Sequence, residues 1–141
     1  MEQFFEFVGN HTALFALLGL VLAMVAWTEF RRFTSGFKDI SPQEAVLLIN
    51  HDNALMLDVR EDSERVQGSI QNSRHIPLST LKQRVGELAK FSDRPVVTYC
   101  RTGSRSRSAG NILLKNDFKN VSNLRGGIVA WDNANLPKVA K

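Results

Sequence analysis

Apolar residues fall in two regimes along this chain. From Phe7 to Thr28 there is no Asp, Glu, Lys or Arg, and Ala13 to Trp27 is almost unbroken apolar sequence. These 22 residues would form a helix about 33 Å long, enough to cross a bilayer. From Phe37 onward, apolar residues come in short bursts separated by turn residues and by stretches of helical spacing. Phe37 to Ile40 reads as a first strand. Ser41-Pro42-Gln43-Glu44 is a helix start, with an N-cap Ser, Pro at the first helical position and Glu at the third. Ala45, Val46, Leu48 and Ile49 give that helix an apolar face, and Asn50-His51-Asp52-Asn53 ends it. Ala54 to Val59 reads as a strand buried on both sides, followed by a short helix from Glu61 to Val66. Ser73 to Pro77 predicts another short strand, and Leu81, Val85 and Leu88 mark one face of a further helix. Pro95 to Tyr99 is a buried strand, Ile112, Leu113 and Leu114 belong to a helix, and Val121 to Leu124 is the last strand. A closing helix ends around Trp131 to Asn133 with Trp131 turned inward, and Leu136-Pro137 closes the domain. Strands alternating with helices predict an α/β domain, a parallel sheet covered on both faces. Ligands then bind at the carboxyl ends of the strands.

The chain has 141 residues and a net charge of +4. One ordinary domain fits this length. The basic excess is spread out and not interleaved with aromatics, which argues against nucleic acid as a partner. A single cysteine, Cys100, rules out an internal disulfide. His11, His51 and His75 stand apart, so no Cys/His cluster suggests a metal, and no cofactor is expected.

The chemistry concentrates after the Pro95 to Tyr99 strand, in Cys100-Arg101-Thr102-Gly103-Ser104-Arg105. Strand, short loop and helix N-terminus converge backbone N–H groups on one point, a natural anion site. A cysteine there has a lowered pKa and is nucleophilic as its thiolate. Gly103 permits the tight curl. Arg101 and Arg105 suit a tetrahedral oxyanion, whereas Arg107 is more consistent with a solvated helix face. Cysteine phosphatases share this geometry but place five residues between Cys and Arg. Here Arg105 follows after four, and Ser106 occupies the position that would need Arg. The shorter loop suits one sulfur atom better than a phosphate.

The hexapeptide resembles the active-site loop of the rhodanese family of sulfurtransferases. Leu57-Asp58-Val59-Arg60-Glu61 with Gly68-Ser69-Ile70 resembles the family's Asp-x-Arg-Glu…Gly-His-Ile segment. Leu124-Arg125-Gly126-Gly127-Ile128-Val129-Ala130-Trp131 resembles its C-terminal Leu-x-Gly-Gly-x-x-x-Trp signature. The resemblance runs from about Phe37 to Pro137. It implies that Cys100 takes sulfur from a donor such as thiosulfate as a persulfide and passes it to a thiol, protein or cyanide acceptor. Arg101, Thr102, Gly103, Ser104 and Arg105 would bind the donor and the persulfide. Asp58 and Arg60 would brace neighbouring loops, and Gly126 and Gly127 would shape the adjacent wall. Ser69 stands where the family usually has His, so that imidazole is either absent or supplied by His75. An interaction module with little catalysis is the rival reading, against which the intact Cys100 and its arginines weigh.

Glu2 and Glu6 precede the apolar segment, while Arg31, Arg32 and Lys38 follow it. A leader lacking Lys or Arg and a long run without a small-residue cleavage site predict an uncleaved anchor. The positive-inside rule then places residues 1–6 outside and the C-terminal domain in the cytoplasm of an inner membrane. A reactive thiolate also survives best in a reducing compartment. Residues 29–36 read as a juxtamembrane linker, short enough to suggest a membrane protein as a partner. Residues 138–141 read as a frayed tail.

Overall fold

The computed structural model describes residues 1, 7, 11–34 and 37–140, and for residues 31–34 the backbone alone. It divides into two compact units, Met1–Ser35 and Gly36–Lys141.

The first unit is dominated by helix α1, Thr12–Thr34. Its Thr12–Phe30 part, 19 residues of mean hydropathy 2.0, is long and apolar enough to cross a membrane. The helix continues past Thr28, where the sequence predicts an end. Nothing between Glu29 and Thr34 breaks it, since no Gly or Pro lies between Glu29 and Ser35. Glu29 to Thr34, expected as linker, is therefore helical. Residues 2–6 and 8–10, and the Ser35-Gly36 remainder of the linker, lie outside the described residues.

The second unit is a three-layer α/β domain. Strands β1 (Phe37–Ile40), β2 (Leu55–Asp58), β4 (Arg74–His75), β5 (Val96–Tyr99) and β6 (Val121–Leu124) form one sheet in the order β1-β6-β5-β2-β4. Every pairing in it is parallel. Alternation along the strands sends successive side chains to opposite faces. Leu55, Leu57 and Val96 join Leu81, Leu88, Ala109 and Leu113 in one core, under α3 (Leu78–Arg84) and α4 (Ser104–Leu114). Met56, Val97 and Tyr99 join Ala45, Ile128 and Trp131 in the other, under α2 (Pro42–Asp52) and α5 (Gly127–Asn133). The capping box expected at Ser41 is formed: the Ser41 hydroxyl accepts from the Glu44 N–H, and the Glu44 carboxylate accepts from the Ser41 N–H at 2.7 Å.

Three local departures have physical causes. The helix expected through Leu81, Val85 and Leu88 divides into α3 and a 3-10 helix, Val85–Phe91, with Gly86 at the break. The segment after Arg60 is a 3-10 helix, Asp62–Gln67, started by the Glu64 carboxylate accepting from the Glu61 N–H at 3.0 Å. The tail does not fray at its start. Lys138–Val139 forms β7, antiparallel to β3 (Ser69–Ile70). The Trp131 indole N–H donates to the Pro137 carbonyl at 3.0 Å, and Lys138 pairs with Asp132 at 2.9 Å, which holds the chain against β3. Trp131 is buried, as expected of a core residue.

Candidate active site

Cys100 follows β5 directly and is 1% exposed. Three residues later the chain turns at Gly103, whose φ of 104° belongs to the left-handed region that favours glycine, and α4 begins at Ser104. The backbone of this loop is sorted by polarity. Its outward carbonyls are held by the first turn of α5: the Ile128 N–H donates to the Cys100 carbonyl at 2.9 Å, and the Val129 N–H to that of Arg101 at 3.3 Å. Its inward N–H groups face the sulfur, with Gly103 N 3.1 Å from Cys100 Sγ. Gly127 makes this docking possible. A Cβ there would sit 2.4 Å from the Cys100 carbonyl oxygen and 2.5 Å from that of Arg101, at a φ of 57°. A Cβ on Gly126, at a φ of 74°, would instead meet the Ala130 Cβ at 2.7 Å.

Burial by itself would push the Cys100 thiol up. The Ser106 hydroxyl, with the N–H groups of Ser106, Gly103 and Thr102, outweighs it and holds the thiol below its ordinary value. Ser106 Oγ lies 3.4 Å from Sγ and 2.5 Å from Asn123 Oδ1. The Asn123 amide group donates to Asp39 Oδ1 at 2.9 Å and to the Gly103 carbonyl at 3.2 Å, which turns its oxygen toward Ser106. Ser106 has one hydroxyl proton and faces two acceptors, so ionising Cys100 draws that proton toward sulfur. Ser106 and Asn123 are fully buried. The sequence signalled neither role: Ser106 reaches Cys100 through the first turn of α4, and Asn123 only because β6 lies beside β5.

The arginines divide their work. Arg105 forks onto Glu64 of the first 3-10 helix, Nη1 to Oε2 at 2.7 Å and Nη2 to Oε1 at 2.6 Å. That hydrogen-bonded pair holds the Glu64 carboxyl well down, to about 2. Arg107 pairs with Asp39 of β1 at 2.5 Å, a tie from α4 to the sheet edge. Arg101 is exposed and borders a cavity of about 260 Å³ shared with Arg60, Glu64, Gln67, Val129 and Lys138. Thr102 and Ser104 are exposed at the loop surface.

Asp58 and Arg60 form a buried knot behind the loop. Arg60 donates from Nε at 2.9 Å and Nη2 at 2.7 Å to Asp58, and onward to the carbonyls of Glu64 at 3.3 Å and Gly68 at 2.9 Å. The Tyr99 hydroxyl donates to Asp58 at 3.0 Å and accepts from the Ile70 N–H at 3.2 Å. Its own pKa is pushed up to about 12 by burial and the Asp58 charge. Asp58 and Arg60 therefore hold the segment that carries Glu64, which in turn holds Arg105. Ser69 sits in the β3–β7 ladder opposite Val139. His75 directs Nε2 to the Arg60 carbonyl at 2.7 Å and Nδ1 toward Asp62 at 3.4 Å, so neither ring nitrogen is turned to Cys100. Among the described residues no group of His, Cys, Asp and Glu is arranged to hold a metal.

A parallel sheet delivering one cysteine into a ring of N–H donors, with four residues between Cys100 and Arg105, fits a rhodanese-type domain better than a cysteine phosphatase. The family of rhodanese-like domains matches residues 41–134, and the chain belongs to it. The uncharacterized protein YibN of Escherichia coli (strain K12) is 34% identical over 140 residues, 99% of this chain and 98% of that protein. A sulfurtransferase of Allochromatium vinosum is 40% identical over 93 residues, 66% of this chain and 85% of that one. The crystal structure of a rhodanese-related protein from Thermoplasma volcanium superposes with a TM-score of 0.67 at 31% identity, covering 74% of this chain and 99% of that one.

Proposed function

We propose that this protein is a sulfurtransferase that carries sulfane sulfur on Cys100, anchored in a membrane by α1. The observation that carries the reading is the Gly103 N–H 3.1 Å from Cys100 Sγ, in a loop whose carbonyls are tied to α5. A thiolate in such a ring is preorganised both as nucleophile and as the anionic persulfide it becomes. With thiosulfate, the Cys100 thiolate attacks the outer sulfur and forms a new S–S bond. The donor's S–S bond breaks, and its electron pair leaves with sulfite. Cyanide or a thiol then takes the outer sulfur and restores the thiolate. Relatives named as sulfurtransferases support this chemistry.

The Thr12–Phe30 helix and the Arg31, Arg32 and Lys38 charges after it support a single-pass inner-membrane anchor with the domain in the cytoplasm. A reporter fused at the C-terminus tests this: activity only in an extracytoplasmic location overturns it. For the chemistry, the full chain in detergent is incubated with thiosulfate and weighed by mass spectrometry. A gain of about 32 Da on Cys100, reversed by cyanide, is the expected result. Cys100→Ser protein folds and gains nothing. An unmodified Cys100 that still alkylates overturns the proposal and favours a membrane-tethered module that recruits partners through its fold.

A further inference from the structure

Resting on that reading, the charges around the cavity beside the Cys100 loop indicate which donors it suits. Arg60, Arg101 and Lys138 border this cavity and Arg105 reaches it through Glu64; three of these four cations are already matched by carboxylates. Arg60 is bonded twice to Asp58, Arg105 is forked onto Glu64, and Lys138 is paired with Asp132 at 2.9 Å. Arg65 also reaches Asp58, at 3.5 Å, but does not border the cavity. Arg101 is left as the cation without a carboxylate partner among the described residues. Glu61 adds a further negative charge near Arg105.

We infer that Glu64, by cancelling Arg105, makes this site select sulfane donors bearing one negative charge over dianionic thiosulfate. Such donors are alkyl persulfides and thiosulfonates. The reacting charge explains the preference. Thiolate plus thiosulfate brings three negative charges together, whereas thiolate plus a monoanionic donor brings two. The loop N–H groups and one unmatched guanidinium neutralise the smaller charge more completely. Glu64 is well placed to act as this filter. It is held by Arg60 through the Glu64 carbonyl, and its carboxylate, 28% exposed at the side chain, is bonded to the loop arginine Arg105. Arg105 thus enters the free site neutralised, not as the open anion receptor that the sequence pattern suggests.

Thiosulfate and methanethiosulfonate form a matched pair for the test, because the latter replaces one anionic oxygen by methyl. With either donor the Cys100 thiolate attacks the terminal sulfur. The S–S bond of the donor breaks, and sulfite or methanesulfinate leaves with the electron pair. The persulfidation rate constant of Cys100 is measured with both donors for the full chain in detergent, as wild type, Glu64→Gln and Arg101→Gln. The wild type is expected to prefer methanethiosulfonate. Glu64→Gln is expected to move the ratio about tenfold toward thiosulfate and to steepen the salt dependence with that donor. Arg101→Gln is expected to slow both donors. Equal effects of Glu64→Gln on the two donors would mean that Glu64 is only a structural clamp, and would overturn the inference. A second readout guards against a misfolded variant: Glu64→Gln should also raise the rate of Cys100 alkylation by anionic iodoacetate relative to neutral iodoacetamide. An unchanged alkylation ratio likewise overturns the inference. If neither donor modifies Cys100 while the alkylation ratio does shift, sulfur transfer is the reading that fails, and the donor preference fails with it.

Discussion

Two arginine–carboxylate pairs lie close together in this protein, and they are built for different ends. Arg60 and Asp58 are 4% and 0% exposed at their side chains, and Asp58 also accepts from the Arg60 backbone N–H and the Tyr99 hydroxyl. Arg105 and Glu64 have equally short contacts but are 36% and 28% exposed. The buried pair has no solvent to fall back on, so it locks the loops that carry Glu64. The half-open pair is screened by water, so its members are free to tune charge beside Cys100 at little cost in stability.

Breaking the buried pair should have the largest effect. Arg60→Ala leaves the buried Asp58 carboxylate with only the more distant Arg65 cation and should cost about 3–5 kcal/mol in chemical denaturation. A loss below about 1 kcal/mol would show that the knot is not what holds these loops. Gly127→Ala comes next, since its Cβ has only backbone to move. It should push the Cys100 and Arg101 carbonyls off α5, turn the N–H ring away from sulfur and abolish persulfide formation even in folded protein. Ser106→Ala removes the strongest single influence lowering the Cys100 pKa. The alkylation-versus-pH midpoint should move up, with reactivity at neutral pH reduced and recovered in base. A midpoint that stays put would assign the lowering to the loop N–H groups alone.

The smallest effect belongs to the half-open pair. The Glu64 carboxyl is depressed from 4.5 to about 2 in the fold. Its contribution to stability is therefore present above pH 4.5 and lost as pH falls toward 2. Half-exposure keeps that contribution to about 1 kcal/mol or less, so Glu64→Gln should flatten the acid limb of a stability profile only slightly. A large loss at neutral pH would erase the distinction between the two pairs.

Much of the fold and part of the site are legible in the residues themselves. The Ser41 capping box, the strand ending at Tyr99 and the paired glycines at Gly126 and Gly127 depend on neighbours in the chain, and each is found where its residues predict. The ends of elements are not legible in this way. Glu29 to Thr34 stays helical because no residue there stops a helix, and Lys138–Val139 is ordered by a ladder to Ser69–Ile70 far away in sequence. Arg105 is legible as a loop arginine but not as one already occupied, because Glu64 is 41 residues away.

The sequence alone therefore determined the kind of chain this is: an apolar helix, then an α/β domain with one cysteine at a strand end, since hydrophobic period and turn residues act locally. The tertiary structure alone decided the electrostatics of that cysteine. Asn123 and Asp39 come from β6 and β1, and only the β1-β6-β5 order sets them behind Ser106 and Cys100. Hydrogen bonds and charge act through space, over a few ångströms, and spacing along a chain does not record which residues come that close.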